Sequence, residues 1–195
     1  MPLSPLPLPD ADIALDAAWL QADAHQALFQ ELRMRVPWET HRIRLFGREV
    51  DSPRLSCWIG DPGAAYTYSG TRFVPRPWPE VLLPVRQRLS RELGIAFNSV
   101  LANLYRDGRD AMGWHSDSEV ELGPQPVIAS VSLGATRRFV LRQRRDPSVK
   151  LALDLVPGSL LVMAGDTQRH YRHALPRTAR PVGERINLTF RRIVG

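Results

Sequence analysis

Apolar and polar positions along this chain follow two different periods. From Asp16 to about Val36, Leu20, Leu28, Leu32 and Met34 recur among good helix formers and Pro37 ends the run, so an amphipathic helix is expected there. A second helix is expected from Trp78 to about Leu93, where Val81, Leu82, Val85, Leu89 and Leu93 fall at helical spacing and Gly94 supplies the stop. From Asn98 onward a period of two takes over. Val100 to Tyr105, Val127 to Leu133, Arg138 to Arg142, Leu151 to Val156, Ser159 to Met163 and Ile186 to Arg191 are short, rich in β formers and bounded by Gly or Pro. Leu151, Leu153 and Leu155 share one face of such a strand, with Ala152 and Asp154 on the other. Between Trp38 and Pro77 the turn signals Phe46-Gly47, Gly60-Asp61-Pro62-Gly63 and Ser69-Gly70 break up short apolar runs, the pattern of hairpins. The opening residues alternate Pro with Leu and Ser and read as a flexible lead over residues 1–15. No repeat or linker divides the remainder. Residues 16–195 are therefore expected to form one α+β domain, with its strand core at about 98–193 built as a sandwich or an open barrel.

Composition narrows the setting more than the chemistry. A chain of 195 residues can bury roughly two thirds of its unfolded surface without covalent staples. Cys57 is the only cysteine, so no intramolecular disulfide can form, which suits a reducing compartment. Met1 to Pro9 has no basic start and no long apolar stretch, and nothing approaches a span of about 20 apolar residues. A monomeric cytoplasmic protein with no membrane partner is the expectation. Net charge is +6 with an isoelectric point near 10.4, as suits a partner rich in phosphate. Yet Lys150 is the only lysine among 26 basic side chains, a skew that codon composition alone produces, so charge does not choose the partner.

Three short motifs carry chemistry. In His115-Ser116-Asp117 the outer two residues project to one side of an extended segment, so an imidazole and a carboxylate converge on one ion. A third ligand has to come from His170 or His173, because His25 and His41 belong to the helical and hairpin regions. Two histidines and one carboxylate with open positions form the ligand set of non-haem Fe(II) oxygenases; a hydrogen-bonded surface pair is the plainer reading of His-x-Asp alone. In Arg185-Ile186-Asn187-Leu188-Thr189-Phe190-Arg191 the odd-numbered residues form a polar row opposite three core residues. Two guanidiniums flanking an amide and a hydroxyl suit a dicarboxylate, since each offers a bidentate fork. Asn103 and Tyr105 repeat the spacing on an earlier strand.

Taken together, the run from Asn103 to Asp117, then His173-Ala174-Leu175-Pro176, then Arg185 to Arg191, resembles the AlkB-family dioxygenases, most nearly the subgroup of animal DNA-repair homologues. Pro75-Arg76-Pro77-Trp78, the stretch Ala129 to Ala135 and Pro157 to Leu161 extend the likeness over roughly residues 40 to 193. The resemblance implies a double-stranded β-helix, or jelly roll. It implies Fe(II) held by His115, Asp117 and His173, with 2-oxoglutarate and O2 as cosubstrates. Arg185 would pair with the far carboxylate of 2-oxoglutarate, while Asn103, Tyr105, Asn187, Thr189 and Arg191 complete the pocket and steady its metal end. The implied reaction is oxidative demethylation of N-alkylated bases of the 1-methyladenine and 3-methylcytosine type in DNA, with RNA as a second candidate. 2-Oxoglutarate then leaves as succinate and CO2, and the methyl group as formaldehyde.

An extruded base needs walls on which to stack. Tyr66 and Tyr68 are the candidates, in a segment resembling the family's nucleotide lid at about residues 38–75, and Phe46-Gly47-Arg48 resembles its intercalating finger. After Asp117 this chain has Ser118-Glu119 where the family has two acids, which leaves base preference at that wall open. Two alternatives compete. A related oxygenase acting on protein or a small molecule would need neither Phe46 nor the tyrosines, and a non-catalytic sensing module would need neither the ligand set nor the arginines.

Overall fold

Two facing antiparallel sheets are what the period-two half of the chain becomes. The computed structural model describes residues 3–45, 48–68 and 71–194. In chain order, β1 (Ser4–Pro5) and β2 (Asp12–Asp16) precede α1 (Ala22–Arg35); then come β3 (Arg42–Leu45), β4 (Arg48–Asp51), β5 (Leu55–Gly60), β6 (Tyr66–Tyr68) and β7 (Thr71–Phe73). A 3-10 turn over Glu80–Leu82 runs into α2 (Leu83–Leu93), followed by β8 (Ser99–Tyr105), β9 (Met112–His115), β10 (Ile128–Gly134) and β11 (Arg137–Gln143). The chain closes with β12 (Lys150–Leu155), β13 (Leu160–Ala164), the short α3 (Thr167–His170), β14 (Tyr171–Leu175) and β15 (Arg185–Arg191).

The larger sheet has the order β1-β2-β13-β10-β15-β8-β5 and the smaller the order β12-β11-β14-β9, while β3-β4 and β6-β7 are separate hairpins. Alternation along the central strands sends side chains into two cores. Val100, Ala102, Val131, Leu133, Leu188 and Phe190 pack outward against Leu28 and Leu32 of α1 and Leu89 of α2. Ile128, Leu161 and Met163 of the large sheet instead meet Leu141, Leu155 and Tyr171 of the small one. The architecture is a jelly-roll sandwich with both helices on one outer face, and the polar residues of the large sheet are left facing the second sheet.

Three expectations change. The lead is not loose: β2 pairs with β13 along its whole length, Leu6 and Leu8 pack on the inter-sheet core, and Tyr171 Oη donates to Pro9 O at 2.7 Å. Its prolines do no harm there, because an outermost strand has ladder positions where no N–H is needed. For the same reason the first helix starts at Ala22 and not at Asp16, whose residues are taken up by the sheet. The second helix starts at Leu83, since Pro79 and Pro84 favour an extended entry and a first-turn position. Trp78 is thereby free to stack on Phe190 and to donate to Asp61 at 2.8 Å. Gly94 closes α2 at φ 67°, where a side chain would be strained.

Candidate active site

β15 runs between β10 and β8, paired to both, so its inward row lies in register with theirs. Arg185, Asn187, Thr189 and Arg191 line one cavity, joined by Asn103 and Tyr105 from β8 and Ser130 from β10. Ile186, Leu188 and Phe190 are fully buried on the other face. Arg185 is itself 1% exposed. Its Nη2 donates to Ser132 Oγ at 2.9 Å, while Nε and Nη1 are buried and find no hydrogen-bond partner among the described residues. Burial pushes its pKa down to about 10, against the opposing pull of Tyr105. A buried guanidinium with open donors is costly by several kcal/mol unless an anion enters, so this end of the cavity is built for a carboxylate.

At the other end, β9 and β14 bring His115 opposite His173, and the register between these strands shifts just beyond. Asp117 follows in a loop, fixed by its backbone N–H donating to Gln168 Oε1 at 2.9 Å and by Arg191 Nη2 donating to Oδ1 at 2.8 Å. The ligand atoms of His115, Asp117 and His173 lie within 4.8 Å of one another. His115 Nδ1 sits 2.8 Å from Gly113 O, which requires the proton on Nδ1 and leaves the Nε2 lone pair turned toward Asp117. Burial lowers the pKa of both imidazoles, that of His173 to about 3, so both are neutral donors near pH 7. For Asp117 burial acts upward, but Arg191 and the two histidines outweigh it and hold the carboxyl at about 2. Two neutral imidazoles and one carboxylate, buried yet reachable from a cavity, fit a divalent iron.

Of the two histidines open to choice, His173 is the one brought to this cluster; His170 ends α3 and does not line the cavity, nor do His25 and His41. Ser118 is exposed and Glu119 half-buried beyond Asp117, and neither lines the cavity either. Phe46 and Gly47 lie outside the described residues; Arg48 belongs to β4 and Tyr66 and Tyr68 to β6 by their backbones, and their side chains too are outside the described set. Sequence reasoning missed Arg54, buried and lining the cavity with its Nε 2.6 Å from Asn103 Oδ1. Just ahead of β5 and outside any alternating strand, Arg54 gave no periodic signal. Phe139, whose ring lies tilted against that of His173 with centroids 5.3 Å apart, and Gln168 were missed as well. Phe139 was legible in principle, since it shares the alternation of Leu141, while Gln168 supports Asp117 across 51 residues with no local signal.

Residues 13–191 match the family model described as the 2OG-Fe(II) oxygenase superfamily. The human protein named DNA oxidative demethylase ALKBH2 is 42% identical over 177 residues, covering 86% of this chain and 68% of that one. The bovine alpha-ketoglutarate-dependent dioxygenase alkB homolog 3 is 39% identical over 178 residues, covering 86% of this chain and 61% of its own length. Among solved structures, OsALKBH1 superposes with a TM-score of 0.65 at 16% identity, covering 98% of this chain and all of that one, a likeness of fold.

Proposed function

This chain belongs to the 2OG-Fe(II) oxygenase superfamily, and on that premise we propose that it removes N-alkyl groups oxidatively from damaged bases in DNA, those of 1-methyladenine and 3-methylcytosine type, with RNA as a second substrate. It is a dioxygenase dependent on Fe(II) and 2-oxoglutarate. The observation that carries the cosubstrate assignment is Arg185, a buried cation with donors open toward a cavity that a dicarboxylate would complete.

His115, Asp117 and His173 hold the iron in this reading, and Arg191 keeps Asp117 ionised and pointed at it. When bound, Fe(II) with 2-oxoglutarate and O2 supplies the oxidation of an alkyl C–H bond, with succinate and CO2 as co-products. Hydroxylation of an N-alkyl carbon gives a hemiaminal, which collapses to formaldehyde and the restored base. The protein's own part is placement. Arg185, with Tyr105 beside it, takes the far carboxylate of the cosubstrate; Asn187 donates to Ser130 and accepts from Thr189, a fixed wall. Leu101, Phe139, Met163 and Leu175 line the rest and keep water scarce around the reacting carbon.

Recognition of the base is assigned to the two hairpins, with Tyr66 and Tyr68 as stacking walls, Phe46-Gly47-Arg48 as the wedge, and Ser118 and Glu119 at the rim. We propose that it works as a monomer, since His115, Asp117, His173 and Arg185, the groups assigned to iron and cosubstrate, already line one cavity together. Among the described residues no helix is long and apolar enough to cross a membrane, and the lone buried thiol of Cys57 fits the reducing cytoplasm proposed as its location. The test is mass spectrometry of the same methylated oligonucleotide as single strand, duplex and RNA after incubation with protein, Fe(II), 2-oxoglutarate and ascorbate. Loss of the methyl mass is expected for DNA. Phe46→Ala should lower the duplex to single-strand ratio about fivefold or more, as one lost stacking contact implies. Methyl groups retained on every nucleic acid, with 2-oxoglutarate still consumed, would point to a protein or small-molecule substrate.

A further inference from the structure

Two asparagines stand side by side in the cavity, Asn103 on β8 and Asn187 on β15, as register partners. Their amides are in opposite states. Asn187 commits both ends to the protein: Nδ2 donates to Ser130 Oγ at 2.8 Å and to Val131 O at 3.2 Å, and Oδ1 accepts from Thr189 Oγ1 at 3.2 Å. Asn103 commits only its oxygen, to Arg54 Nε at 2.6 Å, and its Nδ2 makes no hydrogen bond to a described residue. A carboxamide can in general be turned end for end at little cost. Here it cannot, because a guanidinium has donors and no acceptor. Reversal would set N–H against N–H between two side chains that are 4% and 5% exposed, where water cannot intervene. Arg54 is held in turn. Its Nη1 donates to Ser52 Oγ at 3.2 Å, and the adjoining Pro53 O accepts from Ala111 N at 3.1 Å, which ties this turn to the segment leading into β9.

We propose that Arg54 is a positioning residue for the cosubstrate: by holding Asn103 Oδ1 it keeps Nδ2 turned into the cavity as a fixed donor to an oxygen of 2-oxoglutarate. The inference rests on the reading of this cavity as the 2-oxoglutarate site. It gives the neighbouring asparagines distinct tasks, Asn187 as wall and Asn103 as donor. It also gives the segment between β4 and β5, which carries no metal ligand, a direct hold on cosubstrate affinity.

The test is a double-mutant cycle read as 2-oxoglutarate binding by calorimetry on the Fe(II)-loaded protein without oxygen. Arg54→Met and Asn103→Ala should each weaken binding about tenfold, the scale of one directed hydrogen bond to a charged ligand. The double variant should bind no worse than Asn103→Ala alone, because the arginine acts through the asparagine. Arg54→Lys, which keeps a donor for Oδ1, should recover most of the affinity. Losses that multiply to about a hundredfold, or an Arg54→Met that binds like the wild type, overturn the proposal. A second measurement needs no variant. In the zinc-loaded wild type, the side-chain amide resonances of Asn103 should shift strongly on adding 2-oxoglutarate, well beyond those of Asn187; an unmoved Asn103 also overturns it. A wild type that binds no 2-oxoglutarate would instead sink the reading of the cavity itself.

Discussion

On the large sheet, Arg185, Asn187, Thr189 and Arg191 reach the cavity from one uninterrupted strand paired on both sides. On the small sheet, His115 and His173 come from an edge pair whose register shifts within three residues, and Asp117 from the loop beyond. The first arrangement is stiff because the ladder fixes it, and a side chain there is aimed by its place in the sequence. The second is fixed one hydrogen bond at a time, through Gly113, Gln168 and Arg191. An edge strand with a bulge re-aims side chains where a regular ladder would hold them in one plane, which is what three ligands around one ion require. The two ends also differ in charge balance: Asp117 has its counter-charge in Arg191, whereas Arg185 forms no ion pair with a described carboxylate and leaves Nε and Nη1 without a hydrogen-bond partner among the described residues.

That contrast predicts opposite stability effects from two substitutions. Asp117→Ala should abolish Fe(II)-dependent turnover, by more than about a thousandfold, and cost the apoprotein about 3 kcal/mol, because it strips a buried guanidinium of its carboxylate. Steady-state assays and a thermal melt of the metal-free protein check both halves. Arg185→Met should raise the 2-oxoglutarate concentration for half-saturation about tenfold to a hundredfold, the loss of a charge-assisted bond of about 1.5 to 3 kcal/mol. Yet its apoprotein should melt higher than the wild type, since an uncompensated buried charge is replaced by a packed apolar side chain. A lower melting temperature for Arg185→Met would mean that the two ends are balanced alike and that the contrast is wrong.

The same difference explains which parts were legible. The polar row of β15, its partner pair Asn103 and Tyr105, and the helical core positions Leu28, Leu32, Leu82, Val85 and Leu89 follow periods set by backbone geometry and could be read from pattern alone. Strands β9 and β14, which bear the histidines, show no clear alternation: Gly113 interrupts it on the edge strand β9, and the charged Arg172 on β14, which lies between β11 and β9. The convergence of His115, Asp117 and His173 came from family resemblance and not from spacing. Arg54 and Gln168 act over separations of 49 and 51 residues, and no local pattern could announce them. The N-terminal strands are hidden in the sequence for a related reason: proline-rich composition favours a loose chain, and only the open edge of β13 and the core beneath it supply the reason to be ordered.

Smaller effects sharpen the picture at the metal end. Gln168→Ala removes the acceptor that fixes the Asp117 backbone and should weaken Fe(II) binding about tenfold, as losses of supporting contacts around metal ligands do, with 2-oxoglutarate affinity little changed. Competition with a metal-sensitive dye reads the first quantity, and equal weakening of both would mean that the two ends are mechanically coupled. His170→Ala, three residues before a ligand but outside the cavity, should leave turnover within about twofold, in line with substitutions away from a site.

If this cavity couples 2-oxoglutarate oxidation to removal of an alkyl group from a base, as proposed, the two reactions share one stoichiometry. Succinate, formaldehyde and restored base can be quantified together during turnover of one methylated DNA oligonucleotide, with Arg185→Met as the control. The three products should rise one for one in the wild type and fall together in the variant at limiting 2-oxoglutarate. Succinate formed at an unchanged rate whether or not the oligonucleotide is methylated, with neither formaldehyde nor restored base, would contradict it.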